Sequence, residues 1–259
     1  MIFGISHNDV ILYVLVFARV ASAIAILPIL GSQSYPAQAK IGLSVLFSLV
    51  LAPTLKTSVV PEASSVLFLL MNISKEITVG LLLGFLASML FAGIELAGQL
   101  IAIQMGFGMV NVLDPQSFQQ VSIISQVKVL IASMLFIAID GHHFLLEGLH
   151  QSFTAVPLLG AKFPREIYEI NMHIAAMIFI SAVKIGAPVI VTLLLTSVSL
   201  GLIARAVPQM NVFFVGMPLK IGIGMAAMSF SLSFFAYAFR TFFGQFKIEY
   251  MSLIRLLGH

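Results

Sequence analysis

An all-α, polytopic, membrane-type fold is predicted by three features of the chain. Of its 259 residues 60% are hydrophobic and only 9% charged, against about 25% charged in a soluble domain. Apolar runs recur at or beyond the roughly 20 residues that carry a helix across a bilayer core. Turn formers gather between those runs, as in Gly31 to Lys40. The chain has no cysteine, which excludes disulfides, thiolate metal sites and cysteine nucleophiles. Without tryptophan, interfacial anchoring falls to Tyr13, Tyr35, Tyr168, Tyr237, Tyr250 and the basic residues. The net charge of +3 is dispersed and gives no reason to invoke nucleic acid. The first ten residues lack a basic region and contain Asp9, so no cleaved signal peptide is expected.

Ile11 to Leu30 is a span-length helix with Arg19 at its middle. A centred arginine costs roughly 2.5 to 3.5 kcal/mol in lipid, so Arg19 faces protein or water, either paired with a carboxylate or set in a conducting path. Ile41 to Leu51 is short for a span and stops at Pro53. From Ser65 to Gln104 the pattern stays helical without proline, about 60 Å of helix, twice the bilayer core. Either it breaks near Ser74 or it does not sit in lipid in the usual way. Asn72, Glu76, Gly80, Gly84, Ser88, Ala92 and Glu95 recur every three or four residues, which reads as one stripe for close helix packing, with carboxylates able to reach a base such as Arg19.

The stretch Gly106 to Val121, GFGMVNVLDPQSFQQV, interrupts this apolar helix. Gly106, Gly108 and Pro115 disfavour a continuing helix. Phe107, Met109, Val110, Val112, Leu113 and Phe118 put soft apolar side chains on that pliable backbone. A deformable seal and a plain re-entrant turn both explain it. Val121 to Ile139 is again span length, with Lys128 inside. Beyond Asp140, Gly141, His142 and His143, an amphipathic interfacial helix is expected over Phe144 to Phe153. His143, Glu147 and His150 fall at helical spacing, but a turn and an amphipathic helix explain them, and no metal is expected. Pro157, Gly160 and Pro164 mark the main internal boundary. Met172 to Leu202 and Phe213 to Phe243 close the chain as a helical hairpin; the first carries Lys184, Thr192, Thr196 and Ser199 on one stripe, with a kink expected at Pro188.

With six segments, the basic residues divide seven to three in favour of the side bearing both termini, which the positive-inside rule places in the cytoplasm. Arg19, Lys75, Glu76, Glu95, Lys128 and Lys184 all fall in apolar helices, so partners or a wet interior are required. A secondary transporter or ion channel, with Arg19, Lys128, Lys184 and Glu95 as its path, is one way to meet that need; a structural scaffold is another. No phosphate loop or nucleophilic triad is present.

Four separated motifs carry a more specific signal: FARVASAIAILPILGSQSYPAQAKIGLS, QMGFGMVNVLDPQ, DGHH and PVIVTLLLTSVSLGLIARAVPQMNVFFVGMPLKIGIG. Together they resemble the FliR family of flagellar export-gate proteins, whose injectisome homologues are the SctT proteins. The resemblance implies a non-enzymatic subunit of a helical hetero-oligomeric cone in the bacterial inner membrane, at the flagellar basal body. Residues 1–165 would be a FliP-like helical part and 166–259 a FliQ-like hairpin with a basic, cytoplasmic tail. FliP-type and FliQ-type subunits, FlhA, FlhB and unfolded flagellar substrates are the implied partners, with no cofactor. The family's plug loop falls on residues 106–122, making Phe107, Met109, Val110, Val112, Leu113 and Phe118 candidate seal residues and Gly106, Gly108 and Pro115 candidate hinges. Glu76, Gly80, Gly84, Ser88 and Glu95 are candidate subunit-packing positions; Arg19, Lys128 and Lys184 are expected as buried charges.

Overall fold

The computed structural model describes residues 7–32, 35–55, 66–107, 122–209 and 211–258. Among them the regular structure is helical, without strands: α1 (His7–Ile26), α2 (Ala37–Leu51), a 3-10 turn (Ala52–Thr54), α3 (Val66–Met105), α4 (Ile123–Ala138), α5 (Gly141–Ala155), α6 (Glu166–Ala206), α7 (Val212–Phe230) and α8 (Leu232–Gly258). Four helices are long and apolar enough to cross a membrane, or up to six spans if the bent pairs α4–α5 and α7–α8 each count as one. The chain is thus an all-α polytopic membrane protein.

Two compact units share the helices. The first comprises Met1–Met89, Ile139–Ile174 and Phe246–His259; the second comprises Leu90–Ala138 and Ala175–Gln245. In the first, α1 buries Ile11, Leu15, Val16, Val20, Ala23 and Ile24, the three-and-four spacing of one helical face. It ends at Ile26, earlier than the apolar run suggests, because Pro28 disfavours helical geometry at the residue before it. Ile29 then takes a left-handed conformation, φ 68°, and Gly31 returns its N–H to the Leu27 carbonyl at 2.7 Å.

The helix α3 runs unbroken for 40 residues, with no interruption at Ser74. Its small residues do not form a single stripe. Each four-residue step turns the helix about 40° past a full revolution, so five steps from Asn72 to Ala92 swing about 200° round the axis. Asn72, Glu76, Gly80 and Gly84 are buried, Ser88 is half-buried, and Ala92 is exposed. In the second unit Gly98 takes over the close-packing role, where an added Cβ would lie 2.5 Å from Ser125 Cα on α4.

One further expectation changes. The span over 213–243 is two helices, α7 and α8, meeting at 60° around Ser231. The Ser231 hydroxyl donates to the Met228 carbonyl at 3.1 Å, the local competition that bends helices. The helix α5 packs its apolar face on the chain itself: Leu145, Leu149, Ser152 and Phe153 are buried, and Gly148 lies against the Tyr250 ring, 2.6 Å from where a Cβ would stand. On α6, Thr192, Thr196 and Ser199 donate to carbonyls four residues back in their own helix at 2.8, 2.8 and 3.0 Å, and Pro188 lies inside the helix without breaking it.

Candidate functional site

In the first unit Arg19 and Glu76 face each other, both wholly buried. Arg19 Nε donates to Glu76 Oε2 at 2.6 Å. Its Nη1 donates to the Ser152 and Val156 carbonyls at 3.0 and 3.1 Å, and the guanidinium carbon stands 4.3 Å from the centre of the Phe153 ring. The second oxygen, Glu76 Oε1, accepts the Leu159 N–H at 3.0 Å, where Leu159 sits at φ 69°. The pair thereby fastens α1, α3, the end of α5 and the turn beyond it. Close approach of α1 to α3 depends on Gly80, where a Cβ would collide with Ser22 Oγ and the Arg19 carbonyl, and on Gly84, where it would lie 2.7 Å from the Ala23 carbonyl. The groove at these two glycines is filled by α1 of the same chain. The remaining partners, Ser152, Phe153 and Leu159, were not apparent in the sequence, because residues some 80 to 130 positions away carry no local signal for a cage.

In the second unit α3 ends on a packed core of Ile101, Ala102, Met105, Ile124, Val189 and Leu193. Met105 is fully buried, and its Cε lies 2.5 Å from where Gly224 would carry a Cβ. Gly106 follows at φ 96°, a conformation costly for any side chain, and Phe107 emerges 38% exposed. Gly108, Met109, Val110, Val112, Leu113, Pro115 and Phe118 lie outside the described residues. So the helix ends on a buried methionine, followed by a positive-φ glycine and a part-exposed phenylalanine.

The intrahelical charges fare differently from one another. Lys128 is buried, its Nζ 4.5 Å from the centre of the Phe235 ring. Phe235 belongs to a series, Phe235, Phe239 and Phe243, whose successive rings are 6.4 Å apart and nearly parallel, an i, i+4 spacing that is visible in the sequence. Glu95 is half-buried and accepts Gln99 Nε2 at 3.3 Å. Lys184, expected to be buried, is exposed on α6 beside exposed Ile180 and Val183, since nothing among the described residues covers that face. No ion pair joins Glu95, Lys128 and Lys184 to one another among the described residues, and Arg19 is committed to Glu76.

At the start of α5, Asp140, His142 and His143 are brought together, whereas Glu147 accepts Gln151 Nε2 at 3.0 Å.

A family profile described as "Bacterial export proteins, family 1" matches residues 10–246. The chain is 34% identical over 253 residues to the flagellar biosynthetic protein FliR of Bacillus subtilis, covering 95% of both chains. It is 30% identical over 218 residues to FliR of Escherichia coli, covering 84% of this chain and 83% of that one, and 29% identical over 231 residues to FliR of Aquifex aeolicus, covering 88% and 87%. The chain belongs to the FliR family. As a FliR-family protein it is a membrane-embedded member of the flagellar biosynthesis and bacterial export apparatus. Both the Arg19–Glu76 pair and the root of the interruption lie inside the matched span.

Proposed function

We propose that this FliR-family chain is a subunit of the flagellar type III export gate, forming with FliP-type and FliQ-type subunits the inner-membrane portal for unfolded flagellar substrates. Residues 1–165 pack in the manner of a FliP-type subunit and residues 166–259 as a FliQ-type hairpin, with a cytoplasmic C-terminus near FlhB. The observation that carries the assembly is Lys184. It stands exposed near the middle of α6 (Glu166–Ala206) among exposed apolar side chains, and a lysine at that depth costs roughly 2.5 to 3.5 kcal/mol in lipid. A partner subunit or water must therefore meet this face. Ser88 and Glu95, both half-buried, are positions on α3 still open to such contact.

The gating reading rests on the root of the interruption. Gly106 lets the chain turn away from a packed core, and the soft residues Phe107, Met109, Val110, Val112, Leu113 and Phe118 then form an apolar collar, with Gly108 and Pro115 as further hinges. Such a collar excludes water and ions by dewetting and yields when a polypeptide enters. Met and Phe adapt to varied side chains without demanding a sequence. The gate does no catalysis; energy comes from the export ATPase and FlhA. Replacing Phe107 and Met109 together by alanine leaves assembly with FliP-type subunits intact and raises ion leakage through the assembled gate, measured as membrane depolarisation. An unchanged barrier in the assembled double variant removes both residues from the seal.

A further inference from the structure

The DGHH corner holds chemistry that neither the gate nor the buried ion pair uses. The ligand-capable atoms of Asp140, His142 and His143 all lie within 4.8 Å of one another. His143 Nδ1 and Asp140 Oδ1 are 3.1 Å apart, close to the roughly 3.3 Å edge of a tetrahedron with metal–ligand bonds near 2.0 to 2.1 Å. Neighbouring helical residues ordinarily diverge by about 100°, yet the His142 and His143 rings sit with centres 4.1 Å apart and planes inclined by 35°. His142 Nδ1 is buried with no hydrogen-bond partner among the described residues. Asp140 precedes α5 without a side-chain capping bond, so its carboxylate is not spent on the helix. It is 74% exposed and His143 71%, leaving room for a hydrated ion to enter and keep waters.

We infer that Asp140, His142 and His143 form a binding site for a divalent transition-metal ion of the zinc type. Two imidazole nitrogens and one carboxylate oxygen suit zinc, copper or nickel rather than magnesium or calcium, which prefer oxygen throughout. Metal and protons compete for the same imidazole nitrogens, so uptake weakens in acid. The positive end of α5 opposes a cation, which the carboxylate beside it offsets. Bound metal clamps Asp140, held at φ 56°, to the first turn of α5.

The test uses the full chain purified without a histidine tag, in detergent, with any subunits that accompany it. Zinc chloride is titrated against a chelating dye at pH 7.5 and pH 5.5. One zinc per chain is expected at micromolar free metal, with affinity at least about tenfold lower at pH 5.5 and in the His142→Gln/His143→Gln variant. Cobalt chloride added to the wild type gives intense visible bands of a four- or five-coordinate ion, lost in Asp140→Asn. Equal zinc uptake by wild type and double variant assigns binding to the other four histidines and overturns the proposal. So does absence of uptake at about 100 µM zinc, or a weak octahedral cobalt spectrum in the wild type, which needs no variant to fold.

Discussion

Replacing Glu76 by leucine destabilises the first unit by about 3 to 5 kcal/mol, the cost of leaving a buried charge without its partner. Arg19 is wholly buried. Its two carbonyl acceptors at Ser152 and Val156 cannot neutralise it, and the Leu159 N–H loses its acceptor as well. The effect is read as a lower denaturation midpoint of the chain in detergent and less folded protein in the membrane. Adding Arg19→Met to Glu76→Leu recovers most of the loss, since an apolar pair of similar volume does without the desolvation of two charges. If the double variant is no more stable than Glu76→Leu alone, the coupling between the two residues is not what holds α1 to α3.

Gly80→Leu has the second largest effect, because its added atoms meet main chain rather than a flexible tip. A Cβ there collides with the Arg19 carbonyl and Ser22 Oγ, and overpacking of this kind costs about 1 to 3 kcal/mol or more. The collision sits at Arg19 itself, so parting α1 from α3 also stretches the 2.6 Å contact to Glu76. The chain then fails to accumulate and to co-purify with FliP-type subunits. Gly84→Ala, opposite the Ala23 carbonyl at 2.7 Å, gives the same failure in milder form. Normal co-purification of Gly80→Leu would show that the α1–α3 approach can relax without consequence.

Charge in an apolar helix was the sequence's most informative signal for structure. An arginine at the centre of an apolar run has to find a carboxylate or water, and Glu76 lay on the next long helix. What the chain could not display was the rest of the cage, because Ser152, Val156 and Leu159 offer main-chain groups, and main chain has no sequence signature. The stripe on α3 misled for a geometric reason: four-residue spacing looks continuous on paper yet winds off the face within five steps. Lys184 was misplaced because burial depends on what covers a helix, and none of the described residues covers that part of α6. At the DGHH corner, spacing pointed to His143, Glu147 and His150, while the left-handed Asp140 brought the carboxylate in from outside the helix instead. The root at Met105 and Gly106 was legible, since glycine after a long apolar helix announces a turn.

The central claim, that residues beyond Gly106 seal a protein-conducting gate, is tested most directly by deleting Phe107 to Ser117 and measuring ion leakage across the membrane of cells carrying the complex, with assembly checked by co-purification of the FliP-type and FliQ-type subunits. Leakage with normal assembly is the predicted result. A tight membrane with normal assembly would contradict the account and make the segment a structural turn, with closure lying elsewhere in the gate.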